Sequence, residues 1–128
     1  MKDTFLAYQS LLERAGDLPQ KREDHCRIID QFYDDQIIQM ENNAAPIVGK
    51  AQLLALENKN LDSVTSVTTK IEDVVFDEDS GTVWGRMTIY FNTRSSGRKK
   101  LEEAFQQHWL NGKIVYQRFY YGEAVDDF

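Results

Sequence analysis

One C-terminal segment places residues suited to acid/base chemistry at alternate positions. From residue 103 to residue 109 every second side chain is Glu, Phe, Gln or Trp, and alternate residues of a β-strand share one face. Burial among aromatic rings raises the pKa of a carboxyl group toward neutrality, where it serves as a general acid or base. We therefore predict a pocket wall, although the half-solvated face of an ordinary sheet has a similar composition. The predicted wall is Glu103, Phe105, Gln107 and Trp109.

The dipeptide Asn111-Gly112 predicts a tight hairpin after this segment, because both residue types tolerate the positive φ of such a turn. A two-residue turn pairs Trp109 with Ile114 and brings the even-numbered residues of the second strand to the pocket wall. A bulge shifts the phase by one residue and brings the odd-numbered residues there instead. The even-numbered set is Tyr116, Arg118 and Tyr120, and the odd-numbered set is Val115, Gln117, Phe119 and Tyr121.

Other side chains have predicted roles beside this wall. Gln107 and Gln117 each carry an amide donor and acceptor, which can orient a carbonyl or hydroxyl group. Trp109 and Tyr121 can hold a flat or apolar ligand between them, although aromatic residues at such positions more often belong to the core. Glu41, at the end of a short predicted strand, is the second candidate base, and its alternative is a solvated turn.

Two assignments stay open between a functional and a structural role. Glu103 is the first candidate base, and its alternative is a structural ion pair with Arg118 or another arginine. Met40 packs either against whatever occupies the predicted hollow or against the third predicted helix. The sequence alone does not choose between these alternatives.

Composition and charge narrow the classes of partner. The chain has 128 residues, 41% hydrophobic and 28% charged, which predicts a single domain spanning residues 1–128. Its net charge of -6 disfavours nucleic acid and anionic membranes as partners. One cysteine allows no internal disulfide, and together with two histidines it makes a metal site improbable, so we expect a cytoplasmic protein without cofactor or metal.

The order of the predicted elements indicates an α+β fold. Amphipathic spacing predicts three helices in the first half of the chain, and β-favouring runs dominate the second half. Long antiparallel strands with helices on one face must twist and curl, which leaves a concave hollow. The predicted helices run over about residues 3–15, 21–33 and 50–58, and the strands over about 36–40, 63–76, 82–92 and 101–121 with its turn.

Three stretches carry a resemblance to a known family. They are Asp30 to Asp35, read as a helix end before a strand, Pro46 to Lys50 before the third helix, and Trp109 to Val115 with Phe119 to Tyr121 in the closing hairpin. The chain resembles the nuclear-transport-factor-two-like superfamily, and within it the SnoaL-like branch of small polyketide cyclases. The resemblance implies a cystatin-like cone in which a strongly curved, mixed or antiparallel sheet wraps over N-terminal helices around a central pocket. It also implies a homodimer and favours the bulged hairpin.

The same resemblance implies roles for particular positions. In ketosteroid isomerases a general-base Asp ends the first strand, where this chain has Met40 with Glu41 beside it. Their oxyanion pair is a Tyr of the first helix, to which Tyr8 corresponds, and a protonated Asp, near which this chain has Phe105. His108 is the strand histidine to compare with the cyclases, but its phase opposes that of Trp109. The family's key carboxylates are therefore replaced here.

These observations lead to one hypothesis and one alternative. The hypothesis is a SnoaL-like domain that binds a small hydrophobic or aromatic ligand and performs isomerase, cyclase or dehydratase chemistry on a carbonyl compound without a cofactor. The alternative is a non-catalytic dimerisation or protein-interaction module whose hollow is filled by its own side chains. The predicted bases are Glu103 and Glu41, and the predicted ligand-binding residues are Tyr8, Met40, Phe105, Gln107, Trp109, Gln117, Phe119 and Tyr121.

Overall fold

Helices and strands follow one another in the order that the sequence predicts. A computed structural model describes residues 1–127. The helices are α1 (Lys2–Leu12), α2 (Leu18–Phe32) and α3 (Lys50–Asp62). The strands are β1 (Tyr33–Glu41), β2 (Ile47–Val48), β3 (Val64–Asp77), β4 (Thr82–Thr93), β5 (Gly97–Leu110), β6 (Lys113–Tyr121) and β7 (Val125–Asp126). Of the helices in this range, none has the combined length and hydrophobicity of a membrane span.

All strands belong to one mixed sheet. Its order is β2-β1-β6-β5-β4-β3, with β7 paired to β5, so the sheet stays open between its edges β2 and β3. β1 and β6 run parallel, and the other pairs are antiparallel. The three helices contact the concave side of this sheet, which confirms the prediction of an α+β fold with a curved sheet over N-terminal helices.

Local sequence features in β3 and β4 produce part of the curvature. Asp73 and Val74 of β3 lie opposite the single residue Gly85 of β4, which is a β-bulge, and Asp73 has a positive φ of 57°. A bulge bends its strand and increases the twist. A Cβ atom at Gly85 would lie 2.7 Å from Cζ of Phe105. The missing side chain therefore lets the Phe105 ring lie against β4.

The hairpin combines the two geometries that the sequence left open. Asn111 and Gly112 have φ of 52° and 76°, and Trp109 pairs with Ile114, as in a two-residue turn. Val115 is then left unpaired, so that His108 pairs with Tyr116. The register is shifted by one residue from this pair to the end of the hairpin away from the turn. The bulge thus follows the turn instead of lying within it. The consequence predicted for a bulge is confirmed, because three odd-numbered residues of β6 pair with the predicted wall. These pairs are Gln117 with Gln107, Phe119 with Phe105, and Tyr121 with Glu103.

The sheet interior is filled near the hairpin turn. Ring centroids of Tyr8 and Phe32 lie 5.9 and 6.1 Å from that of Trp109, and the centroid of Phe5 lies 6.3 Å away. Phe105 and Trp109 are only 1% and 5% exposed. Close packing of this kind leaves no room for a ligand. At this end of the sheet the aromatic residues therefore belong to the core, which is the alternative given for Trp109 in the sequence analysis.

A buried lysine joins the first two helices. Lys21 of α2 is 1% exposed, and its ammonium group donates to the backbone oxygens of Leu12 and Arg14 at the end of α1. Carbonyls of a last helical turn lack partners within the helix, so this contact caps α1. Burial lowers the pKa of Lys21. The cap holds α1 in the position from which Tyr8 reaches the sheet.

Candidate functional site

A cavity of about 440 Å³ lies between the helices and the part of the sheet farther from the hairpin turn. This volume is within the range of small-molecule sites. Tyr8 comes from α1, Tyr33 from the start of β1, and Glu57 from α3, while β5 and β6 supply the opposite wall. The cavity begins where the aromatic packing around Trp109 ends, so the cone is solid at the hairpin end and hollow beyond it.

Glu103 is the carboxyl best placed for chemistry in this cavity. Burial, together with the smaller effect of the negative charges of Glu41 and Glu57, raises the pKa of Glu103 to about 7. Among residues 1–127 Glu103 has neither a hydrogen-bond donor nor an ion-pair partner. Arg118, the predicted alternative partner, donates to the backbone oxygen of Asn42. The predicted alternative, a structural ion pair between Glu103 and Arg118, is therefore wrong.

Glu41 lines the same cavity but is already engaged. The Tyr121 hydroxyl donates to its carboxylate at 3.3 Å. Burial and the nearby negative charge of Glu41 raise the pKa of Tyr121. The alternative in which Glu41 is only a solvated turn residue is therefore wrong. Because the Glu41 carboxylate already accepts a hydrogen bond, Glu103 remains the carboxyl with free oxygens.

Glu57 and His25 form a further polar pair in the cavity wall that the sequence reasoning missed. His25 Nδ1 lies 3.5 Å from Glu57 Oε1. Glu57 stands midway between the buried residues Leu53 and Leu61 on α3. A glutamate at the centre of an i, i+4, i+8 apolar stripe is a signal that could have identified it.

A chain of buried hydrogen bonds runs along the floor of the cavity. The Trp109 indole N–H donates to Gln107 Oε1 at 3.1 Å. Gln107 Nε2 donates to the Tyr8 hydroxyl and to Gln117 Oε1, both at 3.2 Å. Gln117 Nε2 donates to the Tyr33 hydroxyl at 3.0 Å. It also donates to Gln39 Oε1 at 2.6 Å.

Two phenols at the end of this chain remain protonated. Burial raises the pKa of Tyr8, and the neighbouring Tyr33 raises it further. Burial likewise raises the pKa of Tyr33, against a smaller opposing effect of the hydrogen bond from Gln117. Both residues line the cavity, and their side chains are neutral. Tyr33 was missed because the sequence places it at the predicted end of α2, whereas it begins β1.

The structure separates the predicted site residues into three groups. Those that line the cavity are Glu103, Glu41, Tyr8, Phe119 and Tyr121. Those buried in the core beneath it are Phe105, Gln107, Trp109 and Gln117, which therefore do not form its surface. The two glutamines reach the cavity only through the hydroxyls of Tyr8 and Tyr33.

Met40 forms a third group by itself. Its neighbours Gln39 and Glu41 line the cavity, and alternation along β1 turns Met40 to the other face of the sheet. There its sulfur lies 3.8 Å from the Tyr116 hydroxyl. The prediction that Met40 packs against the hollow is wrong, and Gln39 takes the place assigned to it.

The cavity offers proton transfer and hydrogen bonding as its chemistry. Glu103 can exchange a proton near neutral pH, and the two phenols can donate to an oxygen that gains negative charge. Within residues 1–127 no three His, Cys, Asp or Glu side chains stand close enough together to hold a metal ion.

Solved structures share this architecture at low sequence identity. No protein-family model matches the sequence, and no curated protein matches it. An NTF2-like protein of unknown function from an Exiguobacterium species is 17% identical, with a TM-score of 0.72 over 94% of this chain and 98% of that chain. A protein assigned as a SnoaL-like polyketide cyclase from a Jannaschia species is 10% identical, with a TM-score of 0.71 over 94% and 83%. An LEH-like epoxide hydrolase of M. tuberculosis is 15% identical, with a TM-score of 0.69 over 94% and 80%.

Proposed function

We propose that this chain, which has the nuclear-transport-factor-two-like fold, binds a hydrophobic carbonyl compound and acts on it by acid/base chemistry without a cofactor. The observation that carries the proposal is the presence, in one cavity, of a carboxyl with a pKa of about 7 and two protonated phenols. Glu103 is the proposed base, and Tyr8 and Tyr33 are the proposed oxyanion donors. The reaction class is enolisation, with cyclisation or dehydration as its continuations.

The proposed first step removes a proton from the carbon beside the carbonyl. The Glu103 carboxylate takes the proton, and the electron pair of the broken C–H bond moves into an enolate whose oxygen carries the negative charge. The hydroxyls of Tyr8 and Tyr33 donate to that oxygen, and such donors stabilise the transition state more than the neutral carbonyl.

The second step decides the product. Protonated Glu103 can return its proton to another carbon, which completes an isomerisation. It can instead protonate a hydroxyl that leaves as water, or the enolate carbon can attack a second carbonyl and close a ring. Of these continuations, cyclisation corresponds to the activity assigned to the SnoaL-like neighbour. Because the identity to that protein is only 10%, its substrate cannot be assigned to this chain.

The order of residues across the sheet supports these assignments. Gln39, Gln117 and Gln107 form one row across the concave face. Tyr121 and Glu103 form a row farther from the hairpin turn. A ligand oxygen directed toward the hairpin end therefore meets donors, while its carbon skeleton extends toward the carboxyl. Apolar residues such as Met87 and Phe119 surround that position.

Deuterium exchange tests the proposed enolisation. In heavy water, α-tetralone incubated with the protein is expected to exchange its α-hydrogens faster than in buffer, as followed by proton magnetic resonance. Glu103→Gln should abolish the acceleration and leave the fold intact. Glu102→Gln is the matched control, because Glu102 neighbours Glu103 on β5 but is exposed.

Two outcomes contradict the proposal in different ways. If Glu103→Gln exchanges as fast as the wild type, Glu103 is not the base. If the wild type binds α-tetralone without accelerating exchange, the cavity is a binding site and the alternative of a non-catalytic module is favoured.

We also propose that two copies associate through the convex face of the sheet. Three large side chains are exposed on or near this face, with 39% of Ile38, 48% of Trp84 and 41% of Tyr120 accessible. They come from β1, β4 and β6, so a second copy lying across the sheet would contact all three. Sedimentation should show a dimer that Trp84→Lys dissociates, and a wild-type monomer would refute the association.

A further inference from the structure

We propose that Trp109 fixes the direction of the buried hydrogen-bond chain, so that Tyr8 and Tyr33 must both donate into the cavity and form a subsite for a ligand oxygen. Trp109 is then a positioning residue, since its side chain lies beneath the cavity and not in its wall. The inference deepens the proposed function, because it assigns the chemistry of one end of the ligand.

The direction begins at the indole group. A tryptophan N–H can only donate, whereas a glutamine amide presents an oxygen on one side and an NH₂ group on the other. Trp109 Nε1 lies 3.1 Å from the amide of Gln107, and Gln107 is fully buried. If the amide were turned over, two donors would face each other without water to separate them, at the cost of an unsatisfied buried donor. Gln107 must therefore present Oε1 to Trp109.

The orientation of Gln107 determines that of Gln117. With Oε1 occupied, Nε2 of Gln107 faces the Tyr8 hydroxyl and Gln117 and donates to both. Gln117, also fully buried, must present its oxygen to Gln107. Its NH₂ group then donates to Tyr33 and to Gln39. One N–H group thus sets the direction of five consecutive hydrogen bonds.

The hydroxyls of Tyr8 and Tyr33 are the points at which the hydrogen-bond chain reaches the cavity. Each phenol oxygen accepts an amide proton, and among residues 1–127 neither hydroxyl donates to a protein acceptor. Tyr8 is 2% exposed and lines the cavity, so we infer that its proton points into the cavity. Gln39 uses its oxygen for Gln117 and has its NH₂ group left to donate. Three groups with a hydrogen left to donate therefore border this end of the cavity: the hydroxyls of Tyr8 and Tyr33 and the amide of Gln39.

A subsite of this composition selects one class of ligand group. A carbonyl or enolate oxygen accepts several hydrogen bonds, and a methylene group of the same shape accepts none, which leaves buried donors unpaired. The subsite therefore favours ketones over hydrocarbons of equal size.

The test compares two probes on three proteins. The probes are α-tetralone and its analogue with an exocyclic methylene in place of the carbonyl oxygen, and the proteins are the wild type, Trp109→Phe and Trp84→Phe. Trp84 is the matched control, because it undergoes the same change outside the cavity lining, and phenylalanine keeps a large apolar side chain at the proposed contact between copies. Loss of the indole N–H removes the group that fixes the Gln107 amide, so Gln107 and Gln117 can turn over together and accept the phenol protons, for which the ligand must then compete.

The wild type is expected to bind the ketone about tenfold more tightly than the methylene analogue, as one or two neutral hydrogen bonds allow. Trp109→Phe should weaken ketone binding by about fivefold to tenfold and leave the binding of the analogue nearly unchanged. Trp84→Phe should change neither. Equal affinities of the wild type for both probes, or an equal loss of both in Trp109→Phe, would overturn the inference.

A measurement on the ligand-free wild type decides the inference if the variant does not fold or neither probe binds. Nuclear Overhauser contacts should connect the Gln107 side-chain NH₂ to the Tyr8 ring and not to the Trp109 indole proton. The reverse pattern would overturn the inference. Failure of deuterium exchange alone would refute the catalytic proposal and leave the oxygen subsite standing.

Discussion

Glu103 and Tyr121 occupy directly paired positions on β5 and β6, yet Tyr121 donates its hydroxyl proton to Glu41 and not to Glu103. One carboxylate of the cavity is thereby stabilised by a hydrogen bond, and the other is left to burial. Burial without a hydrogen-bond donor raises the pKa of a carboxyl group. Glu103 is the group whose proton is held to about pH 7.

The first prediction concerns stability. Glu103 has a pKa of about 7 in the folded chain against 4.5 for an ordinary solvated glutamate, so the folded state binds the proton more strongly. Stability from this group is complete below about pH 4.5 and is lost as the pH rises to about 7. Glu103→Gln should therefore raise the free energy of unfolding by about 1–3 kcal/mol near pH 8 and change it little near pH 4.

Urea unfolding monitored by circular dichroism at both pH values checks this prediction. Glu102→Gln, which changes an exposed carboxylate of the same strand, should behave like the wild type. A Glu103→Gln variant that is less stable near pH 8 would identify the residue as a structural partner.

The second prediction concerns the pH dependence of exchange. Because the base must be ionised, the rate constant for deuterium exchange should rise about tenfold per pH unit below pH 7 and level off above it. The negative charges of Glu41 and Glu57 help to raise the pKa of Glu103, so Glu41→Gln and Glu57→Gln should each move the midpoint to lower pH.

Glu23→Gln is a suitable control for the second prediction, because Glu23 is exposed on α2. The same midpoint in all four proteins would show that a different group is titrating.

The third prediction concerns the two phenols. Tyr8→Phe and Tyr33→Phe each remove one proposed oxyanion donor and should lower the turnover number for exchange by about 100-fold, with a smaller effect on the Michaelis constant. Tyr120→Phe removes an exposed hydroxyl and should have no effect. If each variant raised the Michaelis constant and left the turnover number unchanged, the phenols would bind the ligand without stabilising the transition state.

The fourth prediction concerns the bend of the sheet. Gly85→Ala brings a methyl group to within 2.7 Å of the Phe105 ring, which must move into an already filled core. We expect a loss of about 1–3 kcal/mol in the free energy of unfolding. Gly122→Ala meets no atom within 4 Å and is the control. Equal stability of the two variants would mean that the strand can flatten without cost.

Much of the architecture follows from local physical chemistry. Alternation along residues 103–109 places Glu103, Phe105 and Gln107 on one face, and the positive φ of Asn111 and Gly112 makes the tight turn. These properties depend on neighbours in the chain, which explains why they could be predicted. The helix order and the α+β class follow from periodicity in the same way.

The rest depended on contacts between distant segments. Tyr33, Gln39 and Glu57 reach the cavity because β1 lies parallel to β6 and α3 packs against the sheet, and neither arrangement is encoded by local spacing. The phase of β6 rests on one unpaired residue, Val115, which no pattern marks.

The boundary between filled core and cavity was also beyond local prediction. Trp109 is covered because Phe5, Tyr8 and Phe32 arrive from α1 and α2, whereas the space beside Glu103 stays open as the cavity. The sequence by itself determined the residue types that face inward and the strand that carries them. Only the tertiary structure decided which of them meet a ligand, because side chains from several elements must be placed together before the remaining volume exists.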